Sequence, residues 1–201
     1  MRALDTLRGR AISMPEADVD TDIIYPARYL LITEKRGLGR YAFHDRRSDP
    51  GFPITDDMPA APFLVAGANF GCGSSREQAP WALADLGFRV IVAPSFGEIF
   101  HSNCFKNGML PIILPAPTIA RLHEAARAGA IFDLDLAAGT LALPDTGPFR
   151  FAISEDRRQS LLNGWDEIAR IRALHADDIA RFETVQRKAA PWLWTTEGHH
   201  D

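Results

Sequence analysis

Two short apolar runs, Phe63-Leu64-Val65-Ala66 and Val90-Ile91-Val92-Ala93, enclose a glycine-interrupted turn and a helical stretch. That order is a strand–helix–strand unit, which predicts a parallel strand pair joined by a crossover. The turn itself reads Asn69-Phe70-Gly71-Cys72-Gly73-Ser74-Ser75-Arg76-Glu77-Gln78-Ala79-Pro80-Trp81-Ala82-Leu83. Gly71 and Gly73 permit positive φ and close backbone approach. Ser74 or Ser75 is expected to cap the helix, with Glu77 or Gln78 closing a capping box. Free N–H groups at such a helix start favour an anion, and Arg76 adds a forked donor suited to a carboxylate or phosphate. The local chemistry is that of a small-acid site with a serine hydroxyl beside it. A plain helix cap is the competing explanation of the same pattern.

The rest of the chain organises around this unit. Residues 8–14 read as a first strand, and 18–26 as an acidic turn leading into an extended piece. Residues 27–50 carry Arg28, Lys35, Arg36, Arg40, Arg46 and Arg47 between glycines, which predicts a basic, mobile loop with helical pieces. A second helix is expected from Phe96 to Asn107, closed by Gly108, and a third strand from Leu110 to Leu114. Thr118 is expected to cap a helix reaching Ala128. The pattern then changes to period two in Phe132-Asp133-Leu134-Asp135-Leu136, with further strands at 141–143 and 149–153. Helices are expected at 155–162 and 177–188. The fold class is therefore α/β, a mixed sheet with one parallel unit and a late antiparallel meander. One domain over 1–201 with a helical C-terminal appendage at about 155–194 is the expected organisation.

Composition excludes several classes. The chain has 201 residues, is 46% hydrophobic and 24% charged, and carries a net charge of −4, which gives no case for nucleic acid or an anionic membrane surface. No apolar run approaches the roughly 20 residues of a membrane span. Met1-Arg2-Ala3-Leu4 lacks the apolar segment of a secretory leader. Two cysteines, Cys72 and Cys104, fit a reducing compartment, and a cytoplasmic location is the expectation.

The stretch from Gly71 to Leu83 resembles the signature of the 3-isopropylmalate dehydratase small-subunit family, which is itself similar to the mobile C-terminal domain of aconitase. Further landmarks match in order: Asp20-Thr21-Asp22-Ile23-Ile24-Tyr25-Pro26, Gly37-Leu38-Gly39, Phe43-His44-Asp45, Val92-Ala93-Pro94-Ser95-Phe96, Asn103, Asn107-Gly108 and His175-Ala176-Asp177-Asp178-Ile179. Position 78 departs, with Gln where the family pattern has His. The resemblance implies a swivelling β/β/α domain. It also implies a hydro-lyase of leucine biosynthesis that isomerises 2- and 3-isopropylmalate, active only with a large subunit.

What the resemblance implies for the site is specific. Ser74 falls at the position of the catalytic base, and Ser75 and Arg76 where substrate carboxylate binds. A surface salt bridge of Arg76 with Glu77 or a neighbour is the alternative for that arginine. A second cation is expected from Arg36, with Lys35 next, against the alternative of a solvated charge run. Tyr29, Leu30 and Leu31 are placed to meet the substrate's alkyl group. Cys72 is expected to be a small half-buried residue and Cys104 part of the core. Such chemistry implies a [4Fe-4S] cluster, which needs at least three thiolates. With two cysteines this chain is expected to bind no metal, and the cluster is expected on the partner large subunit. Competing functions are a hydro-lyase for citramalate, homoaconitate or a methylated maleate, a serine or cysteine hydrolase, and a stand-alone anion-binding module.

Overall fold

The protein is described by a computed structural model that covers residues 1–32, 34, 36–144 and 146–194. The described residues fall into two compact units, Met1–Gly164 and a second that begins at Trp165. The first unit is built on a seven-stranded mixed sheet among the described residues. Its strands are β1 (Thr6–Met14), β2 (Phe63–Ala66), β3 (Val90–Ala93), β4 (Leu110–Ile113), β5 (Ile131–Asp135), β6 (Thr140–Ala142) and β7 (Phe149–Arg150), in the order β4-β3-β2-β1-β5-β6-β7.

β1 joins two kinds of sheet. Its second half, Ala11–Met14, runs parallel to β2, and β2, β3 and β4 continue in parallel. Its first half, Thr6–Arg10, runs antiparallel to β5, from which β6 and β7 follow as a meander. Both parts match the sequence expectation, and the expected strands at 63–66 and 90–93 agree residue for residue.

Alternation along the strands sorts side chains into two cores. Phe63 and Val65 of β2, with Val90 and Val92 of β3, join Ile119, Leu122, Phe132 and Leu134 in one. Leu64 and Ala66, with Ile91 and Ala93, join Tyr25, Phe43, Phe70, Leu83 and Phe100 in the other. Helix α4 (Ala116–Arg127) packs over β1, β2 and β3. Helices α1 (Thr21–Ile24), α2 (Gln78–Asp85) and α3 (Glu98–Lys106) contribute their buried residues to the second core. Helix α5 (Glu155–Asn163) ends at Gly164 in the left-handed region, whose carbonyl accepts from the Met1 amino group at 2.8 Å.

Three expectations change. Residues 21–24 form a helical turn rather than an extended piece, because the Asp20 carboxylate accepts from Ile23 N at 2.7 Å and caps it. Helix α4 starts after Pro115, not at Thr118. A proline close behind the start, Pro117, costs nothing where no N–H partner is needed. In the second unit, helix α6 (Glu167–Leu174) precedes α7 (Ala176–Ala189). Asp166 caps α6 by accepting from Ala169 N at 2.7 Å, and Ile168, Ile171 and Leu174 recur at helical spacing after it. That cap and spacing are the signals that could have predicted it. No helix among the described residues is long and apolar enough to cross a membrane.

Candidate active site

β2 and β3 end side by side, and their C-terminal ends lead into the segments that build the site. Asn69 N donates to Ser95 Oγ at 2.8 Å, and Gly97 N donates to Phe70 O at 3.0 Å. Gly71 N donates to Val19 O at 2.7 Å, and Thr21 N donates to Cys72 O at 2.9 Å. The loop is thus tied on one side to the segment after β3 and on the other to the start of α1. Gly71 has φ +72°, and a Cβ there would be driven into the Phe100 ring. Only glycine fits that backbone at that distance from the core.

This tie overturns the expected cap. Helix α2 begins at Gln78, its N-cap is Glu77, and no side chain caps it. Ser74 and Ser75 lie before the helix, because Gly71 and Gly73 hold positive φ and turn the loop alongside α1. Freed from capping, Ser74 Oγ lies 3.2 Å from Thr21 Oγ1. Thr21 Oγ1 also donates to Ser74 O at 3.2 Å.

Leu30, Ser74, Ser75, Arg76, Glu77, Gln78 and Trp81 line an open cavity of about 470 Å³. That volume is within the range of small-molecule sites. Arg76 does not pair with Glu77. Its Nη1 donates to Asp22 Oδ1, on α1, with the Arg76 side chain 20% exposed and Asp22 53%. The pairing orients the guanidinium while leaving donors for a carboxylate. Gln78, expected as a possible capping partner, instead faces this cavity.

The structure brings together Ser74, Ser75, Arg76 and Leu30 of the expected residues. Leu31 is 92% exposed, and neither it nor Arg36 lines the cavity. Lys35 lies outside the described residues. Thr21, Asp22 and Trp81 were not singled out by the sequence reading as site residues. Thr21 lies 53 positions before Ser74 and Asp22 lies 54 before Arg76, and only the fold brings them together.

The surroundings of both cysteines favour the thiol over the thiolate. Burial, with the Asp20 and Asp18 carboxylates, pushes the Cys72 thiol pKa up, so the thiolate is disfavoured. Cys104 is fully buried in α3, and burial raises its pKa as well. Two thiols, one of them enclosed in the core, do not fit an iron–sulfur cluster. Among the described residues no group of three His, Cys, Asp or Glu side chains could hold a metal ion. None of the described histidines of the first unit is hydrogen-bonded to Ser74. His123 Nδ1 is 2.9 Å from Ser13 Oγ, His101 packs against Phe96 and Phe105, and His44 and His175 face Asp45 and Asp178. Among the described residues of the first unit, no histidine is therefore placed to activate Ser74 as a hydrolase nucleophile.

Comparison with known proteins gives concordant matches. The family model for the aconitase C-terminal domain matches residues 1–117. The 3-isopropylmalate dehydratase small subunit of Rhodospirillum centenum is 44% identical over 201 residues, covering 96% of this chain and 98% of that protein. The small subunit of Paramagnetospirillum magneticum is also 44% identical, covering 96% and 100%. Among solved structures, the 3-isopropylmalate dehydratase LeuD of Methanocaldococcus jannaschii superposes with a TM-score of 0.68 at 27% identity, covering 88% of this chain and 99% of that one. The chain belongs to the aconitase C-terminal domain family, among its 3-isopropylmalate dehydratase small subunits.

Proposed function

We propose that this chain is the small subunit of a two-chain hydro-lyase that interconverts 2-isopropylmalate and 3-isopropylmalate in leucine biosynthesis by loss and re-addition of water. The observation that carries the reading is Ser74, freed from capping and held in the same cavity as Ser75, Arg76 and Leu30. The names of the full-length relatives support it.

Dehydration of a hydroxy diacid removes a proton from one carbon and hydroxide from its neighbour. This chain's residues suit the first task. Ser74 Oγ takes the proton as its alkoxide and returns it in the reverse direction. Arg76 and Ser75 hold the carboxylate that all such diacids share, with two parallel N–H···O bonds available from the guanidinium. Leu30 and Trp81 form the apolar side of the cavity, where the isopropyl group fits. The departing hydroxide needs chemistry that two cysteines cannot supply, so we assign it to an iron–sulfur cluster on a large subunit.

The test uses the reconstituted pair of subunits. Ser74→Ala should lower kcat by at least about a hundredfold with the complex intact, as expected for loss of a general base. Arg76→Lys should lower kcat/KM strongly, because an ammonium cannot make the forked contact. An exposed ion pair would be worth only about 0–1 kcal/mol and its loss would pass nearly unnoticed. A Ser74→Ala complex turning over at the wild-type rate would overturn the assignment of the base.

A further inference from the structure

The proposed base raises a chemical problem, since a serine hydroxyl ionises far above neutral pH. Among the described residues, the side chain hydrogen-bonded to Ser74 Oγ is that of Thr21, and it is uncharged. Thr21 is 1% exposed. Its hydroxyl lies 3.2 Å from both Ser74 Oγ and Ser74 O. We infer that Thr21 is a positioning residue for the base, its hydroxyl exchanging donor and acceptor roles as Ser74 ionises. This inference rests on the reading of Ser74 as base.

The hydrogen-bond arithmetic gives the mechanism. A hydroxyl has one proton to donate and lone pairs to accept. With Ser74 neutral, its O–H donates to Thr21 Oγ1, and the Thr21 O–H donates to the Ser74 carbonyl. When Ser74 loses its proton to solvent, its oxygen can only accept. The Thr21 O–H then rotates from the carbonyl to the alkoxide, 3.2 Å away on the same side. The alkoxide gains a charge-assisted hydrogen bond that the neutral hydroxyl cannot receive from the same proton, which lowers the Ser74 pKa. The proton later taken from the substrate carbon restores the first arrangement.

The scaffold holds Thr21 in place for this. Asp20 caps the turn through Ile23 N, Thr21 N donates to Cys72 O at 2.9 Å, and Thr21 O accepts from Tyr25 N at 2.9 Å. Gly73 has φ +91°, and a Cβ there would sit 3.5 Å from Thr21 Oγ1, so the loop approaches α1 with little room between. Burial keeps water from the Thr21 hydroxyl itself, so its proton is shared between the Ser74 carbonyl and Ser74 Oγ. Among the described residues, the charged and titratable groups on the two segments that meet here are Cys72, Arg76 and Glu77 on the loop, Asp20 at the cap of α1 and Asp22 on it. None of these is hydrogen-bonded to Ser74 Oγ: the Asp20 carboxylate accepts from Ile23 N and that of Asp22 from Arg76.

The experiment compares Thr21→Val, Thr21→Ser and Thr21→Cys in the reconstituted holoenzyme, with Ser74→Ala alongside. Thr21→Val removes the hydroxyl at nearly constant shape. It should lower kcat about 10–100-fold with KM within about threefold, the size of one hydrogen bond to a charged group. The rising limb of the kcat–pH profile should move up by about one to two pH units, because the alkoxide has lost its donor. Thr21→Ser should restore both rate and limb. Thr21→Cys, a weak donor, should fall between, and this series decides the matter if the valine variant does not assemble. A limb unmoved in Thr21→Val, or in Thr21→Cys, overturns the inference, as does a loss confined to thermal stability and KM. Failure of the base reading would look different, since Ser74→Ala would itself then remain active.

Discussion

In the parallel half of the sheet, β2 and β3 bury every residue. In the antiparallel half, β5 turns Phe132 and Leu134 inward and leaves Asp133 and Asp135 in solvent. The difference follows from what covers each half. Both faces of β2 and β3 contribute to a core, so the parallel strands meet other molecules only at their ends. The candidate site lies at the C-terminal ends of β2 and β3, where open α/β sheets place ligands. The antiparallel half carries none of the residues lining the Ser74 cavity. One half thus carries the candidate site and packing together, and the other packing alone.

That separation is open to direct attack. Gly71→Ala strikes both roles of the parallel half, since a positive φ is combined with collision against Phe100. We expect a destabilisation of about 2–5 kcal/mol and loss of turnover even in complexes that assemble, read by thermal melting and by assay. Leu134→Ala removes a fully buried side chain from the antiparallel half. It should cost about 3 kcal/mol of stability while leaving kcat/KM of the assembled enzyme unchanged. If kcat fell in step with stability, the two halves would not be separable. Leu30→Ala should hardly change stability. It should change the ratio of kcat/KM for isopropylmalate over citramalate by an amount equivalent to about 1–3 kcal/mol, the scale on which an apolar pocket discriminates. A fixed ratio would move the alkyl pocket elsewhere. The smallest effect belongs to Gly139→Ala, at the turn between β5 and β6. There φ is +65° and the nearest atom is the Phe151 carbonyl at 3.4 Å, so about 1 kcal/mol of strain is expected and no change in activity.

The contrast between the two halves also explains what was legible in advance. Phe63–Ala66 and Val90–Ala93 are continuous apolar runs, and 132–136 alternates, so periodicity alone placed those strands. Local rules misled at two caps. The Ser-Ser-Arg-Glu pattern at 74–77 satisfies the capping rule, yet the loop is held by Val19, Thr21, Ser95 and Gly97 and turns away before the helix starts. At Ala116–Thr118 the proline-containing start displaced the expected threonine cap.

The sequence by itself determined the alternation of strands and helices, the glycine turn at 71–73, the shortage of thiols and, through its long match in register, the family. These are carried by spacing and composition, which act over a few residues or over the whole chain. Only the tertiary structure decided that Arg76 meets Asp22 rather than Glu77, that Ser74 meets Thr21, and that Leu30 but not Leu31 reaches the cavity. Those contacts join segments about fifty residues apart in sequence. They exist because β1 and β2 lie side by side in the sheet and bring α1, just beyond β1, against the loop that follows β2.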